Sequence, residues 1–301
     1  MAITTPRQQI GTMLEAETTK RASSKWLSAL AYYVPVGLIG LVFFFPFFWT
    51  VSSSFKNPPE IFMYPPLLFP GALRFENYGW VFRNVPFLAW FVNTSLIVVL
   101  GLTGTVLSSS IVAYAFARFD YPGKDLLFMI TLATMMIPSH VTLIPQFILF
   151  HKLGWLDTIK PLWVPSWFGG GAFNIFLLRQ FIMTLPRDLD EAAFIDGASY
   201  LHIFLRVLIP LCKPVLATVA VLRFIWGWND FMGPLLYLNS PEKLTLSVGL
   251  RFLAIGPQEP GLPKNHYLMA ACTMAILPCI ILFFLAQRYF VQGIVMSGIK
   301  G

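Results

Sequence analysis

Six long apolar stretches dominate this chain and limit what it can fold into. They cover residues 27–51, 87–116, 126–150, 162–183, 215–238 and 267–290. A helix needs about 20 mainly apolar residues to cross a lipid bilayer, and each stretch meets or nearly meets that length. Several contain proline, as at Pro46, Pro138 and Pro278, which transmembrane helices tolerate where neighbouring helices satisfy the freed backbone groups. We therefore predict an all-α protein, a polytopic membrane bundle of six transmembrane helices.

The composition agrees with lipid as the solvent. Hydrophobic residues make up 56% of the 301 residues and charged residues only 12%, whereas a typical soluble protein is about 25% charged. Such a chain has too little polar surface to cover a core of this size in water. The composition excludes a disordered chain, a secreted disulfide scaffold and a typical cytosolic enzyme.

The net charge of +7 raises the question of nucleic-acid binding. The basic residues, however, are spread thinly between the apolar stretches, and no cluster is dense enough to follow a phosphate backbone. We expect no nucleic-acid partner. The three cysteines, Cys212, Cys272 and Cys279, form no CxxC pair and lie on apolar stretches, so they predict no disulfide framework.

The distribution of polar segments predicts the topology. Residues 1–26 are polar and precede an apolar stretch of about a full span, unlike the short apolar region of a signal peptide. We predict a cytoplasmic N-terminal segment (1–26), a six-helix transmembrane domain (27–290) and a cytoplasmic C-terminal tail (291–301). Lysine and arginine are then more frequent in the inner segments, as the positive-inside rule requires. The longest outer segments, 56–85 and 239–266, are predicted to be structured extracytoplasmic loops.

The cytoplasmic segment between the fourth and fifth stretches, 186–214, carries the most informative pattern. Pro186 opens it, acidic residues follow in the next turn, and Gly197 stands where a helix would stop. These features predict a short helix whose acids are favoured by the positive end of the helix dipole. Ala192 and Ala193 would let another backbone approach closely. The pattern fits a helix–turn–helix that docks into a cleft on a soluble partner, and it also fits an ordinary solvated acidic loop.

The same segment resembles the EAA loop of bacterial ABC importer permeases. The matching pattern is Glu191-Ala192-Ala193, three residues, Gly197, nine residues and then Val207-x-Ile209-Pro210. The family ends this pattern with Ile-x-Leu-Pro, so two positions are conservative departures. Asp196-Gly197-Ala198 makes the loop more similar to those of carbohydrate-uptake permeases. Further similarity lies at 176–181, 228–231, 287–293 and 298–301, so nearly the whole chain resembles the MalG-type permease subunit of the maltose-transporter family.

This resemblance implies a type I ABC importer permease fold and a transport role without enzymatic activity. The expected function is to move a sugar or oligosaccharide across the bacterial cytoplasmic (inner) membrane by alternating access. The implied partners are a second (MalF-like) permease subunit, two ATPase subunits and an extracytoplasmic sugar-binding protein, within membrane lipid. No cofactor is expected on this chain, because ATP and Mg²⁺ would bind the ATPase subunits.

The resemblance also assigns roles to individual residues. The residues expected to couple this chain to an ATPase subunit are Glu191, Ala192, Ala193, Asp196 and Gly197. The family's C-terminal tail reaches the ATPase dimer, which would give such a contact to Gln292, Gly293 and Lys300.

Polar and aromatic residues inside the apolar stretches are candidates for the translocation path, because polar groups in a membrane are costly and often functional. We select Asn93, Asn229, Asp230 and Trp228. Asn229 and Asp230 would alternatively form a structural hydrogen-bonding cluster at a bend, and Trp228 would alternatively fill the bundle core. On a continuous helix, Arg223 and Asp230 would lie roughly 10 Å apart along the axis, too far for direct contact.

Two other classes of protein remain as alternatives. A self-contained secondary transporter usually shows repeated halves with broken helices at corresponding positions, whereas here the signature is concentrated in one loop. An intramembrane hydrolase is disfavoured because the sequence has no HExxH or GxSxG motif and no histidine spacing typical of a metal site. The sequence also lacks the phosphate-binding GxxxxGK[ST] motif, so ATP hydrolysis is not expected on this chain.

Overall fold

A computed structural model describes residues 6–255 and 264–298, with side chains described for 29–255 and 264–287. Over these residues the chain is helical and has no strand, which confirms the predicted all-α class. The helices are α1 (Pro6–Ser54), α2 (Pro58–Ile61), α3 (Glu76–Asn84), α4 (Phe87–Arg118), α5 (Lys124–Ala133), α6 (Ser139–Lys152), α7 (Lys160–Trp163), α8 (Ala172–Thr184), α9 (Asp188–Ile195), α10 (Tyr200–His202), α11 (Ile209–Leu211), α12 (Lys213–Trp228), α13 (Met232–Tyr237), α14 (Leu246–Ile255) and α15 (Asn265–Gly298).

Three of the predicted spans are continuous helices. They are Ala29–Ser54, Phe87–Arg118 and Asn265–Gln287, and bent helix pairs supply up to three further crossings. The described helices therefore allow up to six spans by length and composition. Their apolar side chains are widely exposed, for example Phe43 at 80% and Met129 at 64%, as expected of surfaces that face lipid rather than water.

The third predicted span, 126–150, is not one helix. It divides into Lys124–Met136 and Ser139–Lys152, which are bent by 98°. Pro138 lies at the break, and the preceding Ile137 is extended (φ −79°, ψ 117°). A proline has no N–H to donate and disfavours helical backbone in the residue before it, which accounts for the position of the break.

The fifth predicted span, 215–238, is not one continuous helix. Helix α12 ends at Trp228, and α13 begins at Met232. Asp230 lies between them, and its Oδ1 accepts a hydrogen bond from the Gly233 N–H (3.2 Å). Arg223 and Asp230 therefore do not share one helix. The bend between Gly227 and Gly233 agrees with the alternative in which Asp230 belongs to a structural hydrogen-bonding cluster.

The fourth predicted span, 162–183, is interrupted by three glycines. A 3₁₀ turn (Val164–Trp167) follows α7, and Gly169, Gly170 and Gly171 all have positive φ before α8 begins. A Cβ on Gly170 would lie 2.6 Å from the Thr105 carbonyl oxygen of α4. The glycines therefore allow close packing against α4 as well as an unusual backbone conformation.

Helix α4 is the central element of the bundle. One apolar cluster surrounds its N-terminal half and includes Trp90, Val98 and Trp228. A second surrounds its C-terminal half, where Ala113 and Tyr114 pack against α8, α12 and the residues that connect them. Because α4 contributes to both clusters, it connects the two ends of the molecule.

The two loops predicted to be structured contain ordered elements. Segment 56–85 holds α2 and α3, and the Asn77 amide donates to the carbonyl oxygens of Ser54 (2.8 Å) and Lys56 (3.1 Å). Segment 239–266 holds a 3₁₀ turn (Pro241–Lys243) and α14, while its residues 256–263 lie outside the described part of the chain.

Candidate functional site

The segment that carries the EAA-like pattern folds as a short helix followed by a tight turn. Helix α9 has three acidic residues in its first turn, where the helix dipole favours negative charge. At its end, the N–H groups of Asp196, Gly197 and Ala198 donate to the carbonyl oxygens of Ala192 (3.1 Å), Phe194 (3.0 Å) and Ala193 (2.9 Å). The predicted short helix is confirmed.

Gly197 is required by the backbone of this turn. Its φ is +82°, in the left-handed region, and a Cβ at this position would meet nothing within 4 Å. The constraint is therefore conformational rather than steric, as is common for a glycine just after a helix.

The second half of the predicted helix–turn–helix is present in a different form. Between α10 and α11 the residues Ile203–Leu208 form a π-helical segment. Ile203, Phe204 and Leu208 are buried, whereas Leu201 and Leu205 are 66% and 51% exposed. The stretch therefore packs one side against the bundle and leaves an apolar side open.

One face of α9 is exposed. Glu191 and Ala192 are exposed, and the Ile195 side chain is 87% exposed. Ala193 is half-buried and lies against the apolar cluster that surrounds the C-terminal half of α4. In this chain alone, α9 thus presents acidic, small and apolar side chains on a surface that no described residue covers.

The opposite face of α9 carries Asp190, which is buried against the end of α4. Its Oδ2 lies 2.6 Å from Arg118 Nε, and the two side chains are only 12% and 6% exposed. Arg118 Nη2 also donates to the Leu185 carbonyl oxygen (3.1 Å). Burial raises the pKa of Asp190 above its ordinary value, because it outweighs the opposing effect of the Arg118 charge.

This ion pair was missed by sequence reasoning. In the sequence, Asp190 is one of several acids in the segment 186–214, and Arg118 is a basic residue just after the second apolar stretch. The two residues are far apart in the chain, so no local spacing connects them. Arg118 at the end of a long apolar helix is the available signal, and it does not specify a partner.

An aromatic cluster lies beside the ion pair and also joins α9 to α4. Phe194 packs on Tyr200 (ring centroids 4.9 Å apart), and Tyr200 packs on Phe119 (5.0 Å). Tyr114 of α4 contacts Phe119 (5.2 Å) and stacks on Phe204 (5.1 Å). The Tyr114 hydroxyl donates to the Tyr200 carbonyl oxygen (3.3 Å). The turn after α9 is thus held at the same end of α4.

The path candidate Asn93 lies at the other end of α4. Its amide donates to the carbonyl oxygens of Glu242 (2.9 Å) and Leu244 (3.1 Å). The Trp90 indole N–H nearby donates to the Pro241 carbonyl oxygen (2.8 Å). In this conformation Asn93 fixes a loop to α4.

The other path candidates lie at the end of α12. Asn229 is exposed, and its amide donates to the Ile225 carbonyl oxygen (2.8 Å). Trp228 is buried, donates to the Ala275 carbonyl oxygen (3.1 Å) and stacks on Phe224 (5.3 Å). The structure therefore places Trp228 in the bundle core and Asn229 at its surface.

A polar clamp around Asp157 was not predicted. The Asp157 carboxylate accepts from the Asn239 N–H (3.0 Å), the Ser240 N–H (3.0 Å) and hydroxyl (2.7 Å), and Lys243 Nζ (2.8 Å). These donors hold the pKa of Asp157 well below its ordinary value. The Asp157 clamp joins the turn before α7 to the turn after α13.

Arg223 is a polar residue inside a predicted span that contacts neighbouring helices. Its Nη2 donates to the Ser166 hydroxyl (3.2 Å) and the Leu162 carbonyl oxygen (3.5 Å). The guanidinium lies against Gly101, where a Cβ would be 2.5 Å from Nη2. No carboxylate in the described part of the chain is within ion-pair distance of Arg223.

The C-terminal candidates for the ATPase contact lie beyond the residues whose side chains the structure describes. Gln292 and Gly293 belong to the backbone of α15, but their side-chain positions lie outside the described residues, as does all of Lys300. Among the described residues no group of three or more His, Cys, Asp or Glu is arranged to hold a metal ion.

Comparison with known proteins gives consistent matches. Residues 106–296 match the family described as the inner membrane component of binding-protein-dependent transport systems. The chain is 34% identical over 272 residues to the arabinooligosaccharides transport system permease protein AraQ of Bacillus subtilis, covering 88% of this chain and 93% of that protein. It is 30% identical over 280 residues to the maltodextrin transport system permease protein MdxG of the same species, covering 93% and 99%.

A solved structure matches over almost the full length of the chain. It is a bacterial ABC transporter involved in the import of the acidic polysaccharide alginate, and the match has a TM-score of 0.77 at 25% identity. The match covers 96% of this chain and 100% of the chain in that structure.

Proposed function

We propose, from the premise that the chain belongs to the family of inner membrane components of binding-protein-dependent transport systems, that its cargo is an oligosaccharide. As a member of that family it is a multi-pass permease subunit of an ABC importer, a transport component rather than an enzyme. The names of its relatives support the cargo: arabinooligosaccharides for AraQ and maltodextrin for MdxG. The class of sugar, and not one particular sugar, is what these relatives have in common.

The exposed face of α9 carries the proposed coupling to ATP hydrolysis. Glu191 and Ala192 are exposed on it, Ile195 is 87% exposed, and Gly197 makes the turn that ends it. A short helix that presents small and apolar side chains is suited to a groove on a partner protein. We assign Glu191, Ala192, Ala193, Asp196 and Gly197 to the contact with an ATPase subunit.

The full assembly follows from this assignment. A second permease subunit would complete the pathway, two ATPase subunits would bind ATP and Mg²⁺, and an extracytoplasmic protein would deliver the sugar. ATP-driven closure would move α9 and shift the membrane helices between inward-open and outward-open states. The α9 end of the molecule would then face the cytoplasm, together with both chain termini.

Two residues remain the better candidates for the translocation path. Asn229 is exposed at the end of α12, and Asp230 lies in the bend that follows. Asn93 and Trp228 make packing contacts in this conformation, so they would reach the path only after a rearrangement. The tail residues Gln292, Gly293 and Lys300 are proposed to contact the ATPase pair on the basis of the family resemblance alone.

Reconstitution tests this function. The chain, co-expressed with its cognate second permease, ATPase and binding-protein subunits, would be purified through a tag on this chain and placed in liposomes. Uptake of labelled arabino-, malto- and galacto-oligosaccharides would be measured with and without ATP and binding protein. We expect ATPase and second permease to co-purify, and uptake of at least one oligosaccharide to need both additions. Transport by this chain alone would contradict the proposal and favour a secondary transporter.

A further inference from the structure

Helix α9 is attached to the membrane bundle by an ion pair on the face opposite its exposed surface. Arg118 Nε and Asp190 Oδ2 are 2.6 Å apart, and both side chains are nearly enclosed. Among the ion pairs of the described residues, the other three each include a side chain that is at least half exposed. Exposed pairs are screened by water and contribute little, whereas removal of one partner of a buried pair leaves an uncompensated charge.

Arg118 connects the end of α4 both to α9 and to the chain that leads into α9. Arg118 is the last residue of α4, and its Nη2 also donates to the carbonyl oxygen of Leu185, two residues before α9's N-cap Arg187. One guanidinium therefore holds both the chain that enters α9 and the first turn of α9. The contact with Asp190 is an ion pair at Nε and not a directed hydrogen bond, so it sets the separation between α9 and α4. The bond from Nη2 to Leu185 has the fixed direction of a planar guanidinium donor and orients the chain that enters α9.

Helix α4 extends this connection across the molecule. It contains 32 residues, which at 1.5 Å per residue is about 48 Å. At its far end Trp90 and Asn93 hold the segment 241–244 through backbone carbonyl oxygens. A displacement of α9 that is carried into α4 therefore reaches the loop at the opposite end.

We propose that Arg118 and Asp190 are positioning residues that transmit the movement of α9 to α4. This inference rests on the proposed function, because it assumes that an ATPase subunit moves α9. Both side chains are nearly buried at the end of α4, and neither lies on the exposed face of α9. Their role is to make α9 and α4 move together, so that each cycle of ATP hydrolysis changes the access of the pathway.

The chain offers a matched control two residues from Arg118. Asp120 pairs with Lys124 (3.0 Å) and lies 3.9 Å from Arg187, and its side chain is 76% exposed. D120N removes the same charge as D190N from the same end of α4, but it breaks only surface pairs. D120N is therefore expected to leave coupling unchanged.

The test measures how many oligosaccharide molecules are imported per ATP hydrolysed. The assembled complex is reconstituted with its binding protein and with whichever labelled oligosaccharide of the panel above the wild type imports. We expect D190N and R118Q each to lower this ratio about tenfold, a size typical of coupling between two sites, while ATP hydrolysis persists. D120N should keep the wild-type ratio. R118K retains the cation but changes the donor geometry, and its ratio should also fall.

A double variant separates a shared role from two independent ones. If the residues act as one connection, R118Q/D190N should lower the ratio no further than the single variants. Losses that multiply would overturn the inference.

The remaining outcomes are also decisive. If D190N or R118K imports as many oligosaccharide molecules per ATP as the wild type, the inference is overturned. It is also overturned if a variant only lowers the yield of complex, and the complex that does assemble keeps the wild-type import per ATP. These results leave the proposed function intact. By contrast, failure of the wild-type complex to import any oligosaccharide in an ATP-dependent way would contradict the proposed function itself.

Discussion

The two ends of α4 are held in different ways. At the N-terminal end, Trp90, Asn93 and Thr94 each hydrogen bond the segment 241–246, and the Asp157 clamp fixes the start of that segment from the other side. At the C-terminal end, α9 is held by the buried pair of Arg118 and Asp190 and by the aromatic cluster. The three α4 side chains named at the first end bond to other parts of the chain. The second end leaves one face of α9 exposed.

This difference indicates which end is built to act on a partner. Ile195 and Leu201 are 87% and 66% exposed at the α9 end, and exposed apolar patches of this kind mark interaction surfaces. A stable cap at one end and an open, firmly anchored helix at the other would allow force applied to α9 to move α4 as a unit. Substitutions at the α9 end are therefore expected to change transport, whereas substitutions at the opposite end are expected to change stability.

The largest effect is expected from bulk on the exposed face of α9. A192W places an indole where the chain has a small exposed side chain, and it would obstruct entry of α9 into a cleft. We expect oligosaccharide uptake to fall by more than about tenfold, the scale of a lost coupling, with normal membrane insertion. A192S, which stays small, should retain uptake. Full uptake by A192W in the liposome assay would contradict the assignment of Ala192 to the contact with an ATPase subunit.

The next effect concerns the turn that ends α9. G197V must adopt φ near +82°, which costs a residue with a Cβ about 1–2 kcal/mol, and more if it is β-branched. We expect uptake per ATP to fall severalfold as the turn changes shape. G197N is the control, because asparagine adopts this conformation more readily. Equal ratios for the two variants would show that the turn conformation is not important.

A smaller effect is expected in the middle of α4, which connects the two ends. A Cβ on Gly104 would lie 2.4 Å from Trp167 Cδ1, whereas a Cβ on Gly37 would meet nothing within 4 Å. G104A should lower the free energy of unfolding by about 1–3 kcal/mol through overpacking. G37A should be neutral or slightly stabilising, since alanine is favoured in helices. Thermal unfolding in detergent measures both, and equal midpoints would contradict the packing described here.

The smallest effect is expected at the Asp157 clamp. D157N loses the ion pair with the half-exposed Lys243, so we expect a small fall in the thermal midpoint and unchanged uptake per ATP. Because the pKa of Asp157 is lowered by folding, its contribution is complete above the unfolded pKa and is lost as the pH falls through the folded pKa. The difference in midpoint between wild type and D157N should therefore be the same at about pH 5 and about pH 8. A difference that grows between these values would contradict the assignment.

Local sequence patterns were sufficient for some parts of the molecule. The acids of α9 and the turn at Gly197 depend on neighbouring residues, so their pattern predicts them directly. Pro138 marked a break in the third span, but the 98° bend depends on packing against other helices. The family resemblance, rather than spacing, supplied the coupling assignment.

Contacts between distant residues were beyond sequence reasoning. Arg118 and Asp190 meet only because α4 and α8 pack side by side and bring α9 to the end of α4. The Asp157 clamp similarly joins two loops that are distant in the chain. Trp228 was a path candidate by residue type, and its neighbours Phe224 and Ala275 explain why it lies in the core.

Site-specific photo-crosslinking tests the central claim most directly. A benzoyl-phenylalanine at Ile195, 87% exposed on α9, would be compared with one at Tyr64, 93% exposed in the segment between α2 and α3, in the assembled complex. We predict that position 195 crosslinks to an ATPase subunit and that position 64 does not. A complex that hydrolyses ATP but shows no ATPase crosslink at position 195, or an equal one at position 64, would contradict the assignment of α9 as the coupling helix.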